Sequence, residues 1–218
     1  MIADHLRTQF RNHGHLIKGI TLTTTSAVGS FINIIVIYAS TKNSKLRTPT
    51  NCCILSLVVS DFLMAFLATP MAAVSSFYRR WVFGHTGCLY YAFLTSLMAY
   101  ISIAMLTMIS ITRYILTVKT HLKHLITVST MIRVVIFGTI WSLIWALAPL
   151  MGWNSYGLEA AYTSCSVEWN EQDVNHASFS LTIMTFQFVL PLCIMIFCYS
   201  AIFDKVSYFL YYLLILYN

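Results

Sequence analysis

The chain has 218 residues, of which 58% are hydrophobic and 9% charged, and its mean hydropathy is +0.74. That is far too apolar for a soluble domain and reads as an integral, multi-pass protein embedded in membrane lipid. The formal charge of +6 resides mainly in short connections between apolar runs, where Lys and Arg set topology, so nucleic acid binding is not indicated.

Residues 1–18 read as a polar, solvated N-terminal tail. His5, His13 and His15 lack the carboxylate or thiol partners of a metal site. No compact apolar core with a small-residue cleavage site marks a signal peptide, so the first apolar run, Gly19 to Ser40, is expected to act as its own insertion signal. Its most polar interior residue is Asn33. A basic connection from Lys42 to Asn51 follows, and its Pro49 suits the start of a helix.

The second run, about Asn51 to Phe77, carries Asp61 at membrane depth. An unpaired carboxylate there costs several kcal/mol, so Asp61 is either functional or a protonated staple between two helices, with Asn33 as the expected polar neighbour. Pro70 should kink the span toward its far end. The short loop Tyr78 to Thr86 holds Arg79, Arg80 and an interfacial Trp81.

The third run, Gly87 to Tyr114, organises the chain. From Cys88 to Arg113 a helix rises about 37 Å, enough to cross a hydrocarbon core of about 30 Å. Steps of three or four residues from Cys88 pass through Tyr91, Thr95, Ala99, Ser102, Leu106, Ser110 and Arg113, while Leu89, Phe93, Leu97, Ile101 and Met108 lie off this stripe. Such a stripe should face protein rather than acyl chains, as a close-packing seam or as part of a site.

A basic connection, Lys119 to Ser129, leads to a fourth run from about Thr130 to Met151 with Trp141, Trp145 and Pro149. The loop Gly152 to His176 is acidic, carrying Glu159, Glu168, Glu171 and Asp173 without Lys or Arg. The fifth run, Ala177 to Phe203, is interrupted by Pro191, and residues 207–218 form an apolar tail too short to span alone. Lys42, Lys45, Arg47, Arg113, Lys119, Lys123, Arg133 and Lys205 fall on one face, and Arg7, Arg11, Lys18, Arg79 and Arg80 on the other. The positive-inside rule therefore predicts an extracellular N-terminus, which places Cys88 and Cys165 together on the oxidising side, where a disulfide can form. No inverted repeat suggests a transporter, and no nucleophile, His and acid converge at membrane depth as in a hydrolase.

The pattern resembles the rhodopsin-like G-protein-coupled receptors, and within them the opsins. It is carried by Asn33, Leu46-Arg47-Thr48-Pro49-Thr50-Asn51, Ser60-Asp61, Trp81-Val82-Phe83-Gly84 before Cys88, Arg113-Tyr114, Pro149 with Gly152-Trp153, Thr163-Ser164-Cys165-Ser166, and Pro191 with Tyr199. These motifs keep the family's order to about Ile202. The resemblance implies an all-α membrane protein, the first five helices of a seven-transmembrane bundle over residues 19–206. Loop 152–176 looks like the opsin retinal plug, a hairpin pinned by Cys88 and Cys165.

Retinal is the implied cofactor, with Tyr91, Thr95, Ser96 and Ala99 on the matched pocket face of the third span. Visual pigments of vertebrates place a glutamate where this chain has Tyr91. A tyrosine there with an acid in the loop is similar to the non-visual peropsin, neuropsin and melanopsin-like groups, which makes Glu159 the candidate counterion. A carboxylate beside a cationic retinal linkage favours its charged form, whereas a tyrosine offers only a hydrogen bond.

The same resemblance makes Arg113 the switch that engages a heterotrimeric G protein, with Tyr114 beside it, and places Asp61 and Asn33 in a polar network of the bundle core. Two departures stand out. Thr112 replaces the acid that pairs with the arginine at rest, and Thr139 stands where many members have a tryptophan. The family's attachment lysine belongs to a seventh span. Lys18, Lys42, Lys45, Lys119, Lys123 and Lys205 lie at or outside membrane boundaries, so the chain as written is not expected to form a covalent pigment. The implied function is that of a light-sensing receptor at the plasma membrane. Alternatives are a peropsin-like retinal photoisomerase and a short isoform acting as partner in a receptor dimer, and a five-span piece alone is expected to be a poorly stable bundle.

Overall fold

A computed structural model of the protein describes residues 2–43, 48–169 and 173–217, with side chains from His13 to Leu216. Lys45, Leu46, Arg47 and Glu171 lie outside the described residues, as do the side chains of His5, Arg7 and Arg11. The helices are α1 (Ile2–Lys42), α2 (Pro49–Leu63), α3 (Thr69–Phe77), α4 (Gly84–Thr117), α5 (Val128–Leu147), α6 (Val174–Ile183) and α7 (Leu190–Tyr217). They build five spans long and apolar enough to cross a membrane: His13–Lys42, Pro49–Phe77, Gly84–Thr117, Val128–Met151 and Val174–Leu216. Two short strands, β1 (Tyr156–Leu158) and β2 (Cys165–Val167), form an antiparallel hairpin with Tyr156 opposite Val167 and Leu158 opposite Cys165.

Neither interior proline breaks its span. A π-helical segment, Met64–Ala68, joins α2 to α3 just before Pro70, and another, Met184–Val189, joins α6 to α7 before Pro191. A widened turn re-satisfies the carbonyls that proline cannot serve, and the Thr69 hydroxyl adds a 3.0 Å bond to the Met64 carbonyl.

The backbone of the expected solvated tail is helical over the residues the structure describes. The helix begins at Ile2, in a stretch with no proline and no glycine before Gly14. At the other end α7 runs through Ser207 to Tyr217 with neither proline nor glycine after Pro191, so the expected boundary before residue 207 leaves no mark on the helix.

The third span is the hub. α4 packs against α2, α5, α7 and the hairpin, and its Met105 is fully buried. The stripe expected along this helix is corrected here: Ile101, placed off the stripe, is buried at 7% exposure, whereas Leu106, placed on it, is 43% exposed. A helix surrounded by neighbours buries more than one face. Outward faces carry exposed apolar side chains, such as Phe31, Phe137 and Phe203.

Candidate functional site

The plug is built from local chemistry at the ends of three spans. After the 3-10 turn Ala148–Met151 the chain reverses at Gly152, whose φ of +95° suits glycine, and the Trp153 N–H donates to the Ala148 carbonyl. The Trp153 ring lies edge-on to Phe179 and tilted against Trp145. Asn154, buried and left-handed at φ +73°, ties the loop to the fifth span: its N–H donates to Asn175 Oδ1, and its Nδ2 donates to the Glu168 and His176 carbonyls. The Tyr156 phenol donates to the Ala146 carbonyl at 2.9 Å, and burial pushes it above its ordinary value. At the bundle face, Cys88 of α4 and Cys165 of β2 form the disulfide, with Cα atoms 5.5 Å apart.

Asp173 caps α6, accepting from the His176 N–H at 2.8 Å and from the His176 ring. Those bonds hold its carboxyl below the ordinary 3.8. A depressed carboxylate stabilises the fold above its unfolded value and loses that contribution as pH falls through the folded one. The amides of the first α6 turn should therefore exchange faster below about pH 4, and Asp173→Ala should remove this pH dependence; unchanged pH dependence in that variant would contradict the cap.

Beneath the plug, Tyr91, Thr95, Ser96 and Ala99 of the third span are all half-buried. The Tyr91 ring stands edge-on to Trp81 at 5.2 Å, and the Trp81 indole donates to the Gly84 carbonyl, which fixes the loop that enters the span. Thr95 turns its hydroxyl to the Tyr91 and Ala92 carbonyls of its own helix. Ser96 lies close to the Tyr100 and Tyr156 phenols, which sets it on the side of the helix that faces the plug.

Glu159 sits where the hairpin turns. It is exposed, its carboxylate accepts the Ser164 hydroxyl, and its charge lies within electrostatic reach of the Tyr91 phenol. The hairpin thus brings the Glu159 carboxylate, beside the aromatic Trp81 and Tyr91 rings, to the plug end of the small and polar residues of the third span.

At the opposite end, Arg113 is exposed and Tyr114 lies 5.6 Å from Phe197 of α7. Thr112 is buried and donates to the Met108 carbonyl at 2.7 Å, with the Met131 sulfur 3.8 Å away. The Asp61 network differs from expectation. Ser102 of the third span, not Asn33, donates to Asp61 Oδ1 at 2.9 Å, and Ser60 Oγ lies 2.9 Å from Ser102 Oγ. The packing of the central helix against the second span brings the Ser102 hydroxyl to this carboxylate. Ser102→Ala should lower stability by about 1–3 kcal/mol, because it leaves a partly buried carboxylate short of a donor. Thermal denaturation equal to the unsubstituted receptor would contradict that assignment.

Three residues carry roles that their sequence context does not announce. Gln187, buried in the fifth-span π segment, accepts from the Trp141 and Trp145 indoles, both at 3.1 Å, and locks the fourth span to the fifth. Ser102 is marked in the sequence only as a stripe member. Lys18, which counts there only for topology, reaches into the plug, donating to Thr163 Oγ1 at 2.8 Å and to Ser164 Oγ at 3.4 Å.

Comparison with known proteins agrees with this architecture. The sequence pattern of the 7 transmembrane receptor (rhodopsin family) matches residues 32–208. Human melanopsin is 35% identical over 196 residues, covering 89% of this chain and 41% of its own length. The human visual pigment-like receptor peropsin is 33% identical over 190 residues, covering 87% of this chain and 56% of its own. The crystal structure of squid rhodopsin superposes with a TM-score of 0.83 at 31% identity, over 90% of this chain and 57% of that one. The chain thus spans about half the length of the relatives it matches, corresponding to their first five spans. It belongs to the rhodopsin family of seven-transmembrane receptors and, within that family, to the non-visual opsins.

Proposed function

We propose that this chain supplies the first five spans and the retinal-covering plug of a light-sensing receptor that signals to a heterotrimeric G protein at the plasma membrane, with its N-terminus extracellular. The observation that carries the reading is the disulfide-pinned hairpin, which holds Glu159 near Tyr91 above the small, polar face of the third span. Tyr91, Thr95, Ser96 and Ala99 would line the retinal site, and Glu159 would face the cationic end of the bound group. Retinal, when bound, supplies light absorption and isomerisation. The protein's part is to exclude water with the plug, keep one carboxylate near the charged end, and couple movement of the third span to Arg113 and Tyr114.

Light-stimulated nucleotide exchange on a G protein by the retinal-loaded full-length receptor tests the signalling half. Exchange that rises on illumination supports it. A light-driven change of retinal isomer with no exchange would instead favour the photoisomerase reading, to which the peropsin likeness also points.

Resting activity follows from Thr112. With no acid beside it, Arg113 lacks the partner that would hold it at rest, and it stands exposed. Thr112→Asp in the full-length receptor should lower dark nucleotide exchange about fivefold, the population shift given by an ion pair worth about 1 kcal/mol. Dark exchange unchanged by the substitution would contradict this role.

A further inference from the structure

We propose that Lys18 is a positioning residue: it latches the tip of the hairpin to the first span and turns the Ser164 hydroxyl onto Glu159. The functional part of the proposal rests on the retinal-binding reading above. Thr163 and Ser164, in the hairpin turn, are only 0% and 6% exposed. Buried hydroxyls need partners, and the Lys18 ammonium, 145 residues away in sequence, comes to 2.8 Å from the first and 3.4 Å from the second.

The position of Lys18 is itself built. The next residue, Gly19, is buried where a Cβ would stand 2.8 Å from the Phe77 ring, so glycine there lets the first span lie close against α3 and holds Lys18 at the rim facing the plug.

The direction of the hydrogen bonds carries the chemistry. A lysine only donates, and a serine hydroxyl has a single proton. With its oxygen receiving from Lys18, Ser164 directs that proton to Glu159 Oε2. Among the described residues Lys18 and Glu159 form no ion pair with each other. The hydroxyl lies between them, so the carboxylate is oriented through Ser164 rather than by direct contact with the ammonium.

The turn also needs fastening. Tyr162 has a left-handed φ of +54°, which a bulky residue holds only when its surroundings over-determine it. The disulfide at Cys165 fastens the hairpin to the third span, and Lys18 fastens its tip to the first.

The test uses hydrogen exchange in the full-length, retinal-free receptor in lipid bilayers, read at the Glu159 and Tyr162 amides, which donate to the Ser164 and Glu159 carbonyls. Lys18→Met should speed their exchange at least tenfold, and Lys18→Arg should restore it to within about threefold, while the paired strands beside the disulfide change little. Should Lys18→Met fail to form the Cys88–Cys165 bond, Thr163→Val carries the same expectation. Exchange within twofold of the unsubstituted receptor in the folded variant overturns the latch.

A second readout tests the relay. In the retinal-loaded receptor, Lys18→Met and Ser164→Ala should shift the absorption band in the same direction, and the double variant should shift no further than Ser164→Ala alone. Additive shifts overturn the relay. Accelerated exchange in Lys18→Met, together with no retinal uptake by the unsubstituted receptor, would uphold the latch while overturning the retinal reading.

Discussion

Replacing Cys165 by alanine in the full-length receptor should cost about 4 kcal/mol of stability, because the bond to Cys88 closes a loop across a sequence separation of 77 residues. For a receptor about twice the length of this chain that corresponds to a fall of roughly 5 °C in the denaturation midpoint. The loss should be uneven. Asn154, Trp153 and Tyr156 would still tie the loop to the fourth and fifth spans, but nothing covalent would hold β2 against the third. The hairpin amides should therefore lose protection before those of the spans, and retinal uptake should fall with them. A midpoint within about 2 °C of the unsubstituted receptor, with hairpin protection intact, would show that the side-chain anchors suffice and that the disulfide does not position the plug.

The second large effect is expected at Glu159. If its carboxylate faces the cationic end of retinal, Glu159→Gln removes the charge that stabilises that cation, and an opposite charge at such range is worth about one to three pKa units. The sign is fixed. The cation loses proton affinity, so the visible band should decline on raising the pH at a midpoint lower by that amount, a ten- to thousand-fold change in protonation equilibrium. Glu168→Gln and Asp173→Asn, which alter acids at the base of the loop, should move the midpoint by much less. Tyr91→Phe should have a small effect, since a phenol offers a hydrogen bond rather than a charge. A Glu159→Gln midpoint equal to that of the unsubstituted receptor would reduce Glu159 to a solvated turn acid.

The five spans are legible from hydropathy because each is an unbroken apolar run bounded by basic or turn-forming residues, and the charge asymmetry that puts Cys88 and Cys165 on one side of the membrane agrees with the disulfide they form. Azimuth is not legible. Hydropathy says that a segment is buried in lipid, not which neighbour it faces. A periodicity count thus assigns Ile101 away from the core although the third span is surrounded, and polarity alone pairs Asn33 with Asp61 where Ser102 is the donor. The stripe that begins at Cys88 already contains Ser102; what it lacks is the packing of the third span against the second.

Lys18 illustrates a different limit. A lysine at the mouth of a span reads as a topology signal, and its bonds to Thr163 and Ser164 bridge 145 and 146 residues, with no local pattern linking the two sites. Gln187 is hidden for a similar reason. One amide in an apolar run gains meaning only once two indoles of another span are seen to donate to it. Proline is half legible: Pro70 and Pro191 mark irregular turns, but the π segments before them keep the helices continuous.

The most direct test of the account is retinal uptake by the full-length receptor in the dark, measured as a new absorption band in protein whose Cys88–Cys165 bond has been verified. The account predicts uptake of about one retinal per receptor, a band in the visible that changes on illumination, and loss of that band in Cys165→Ala. Folded receptor with the disulfide formed and no band after saturating retinal would contradict the assignment of this plug and third-span face as a retinal site.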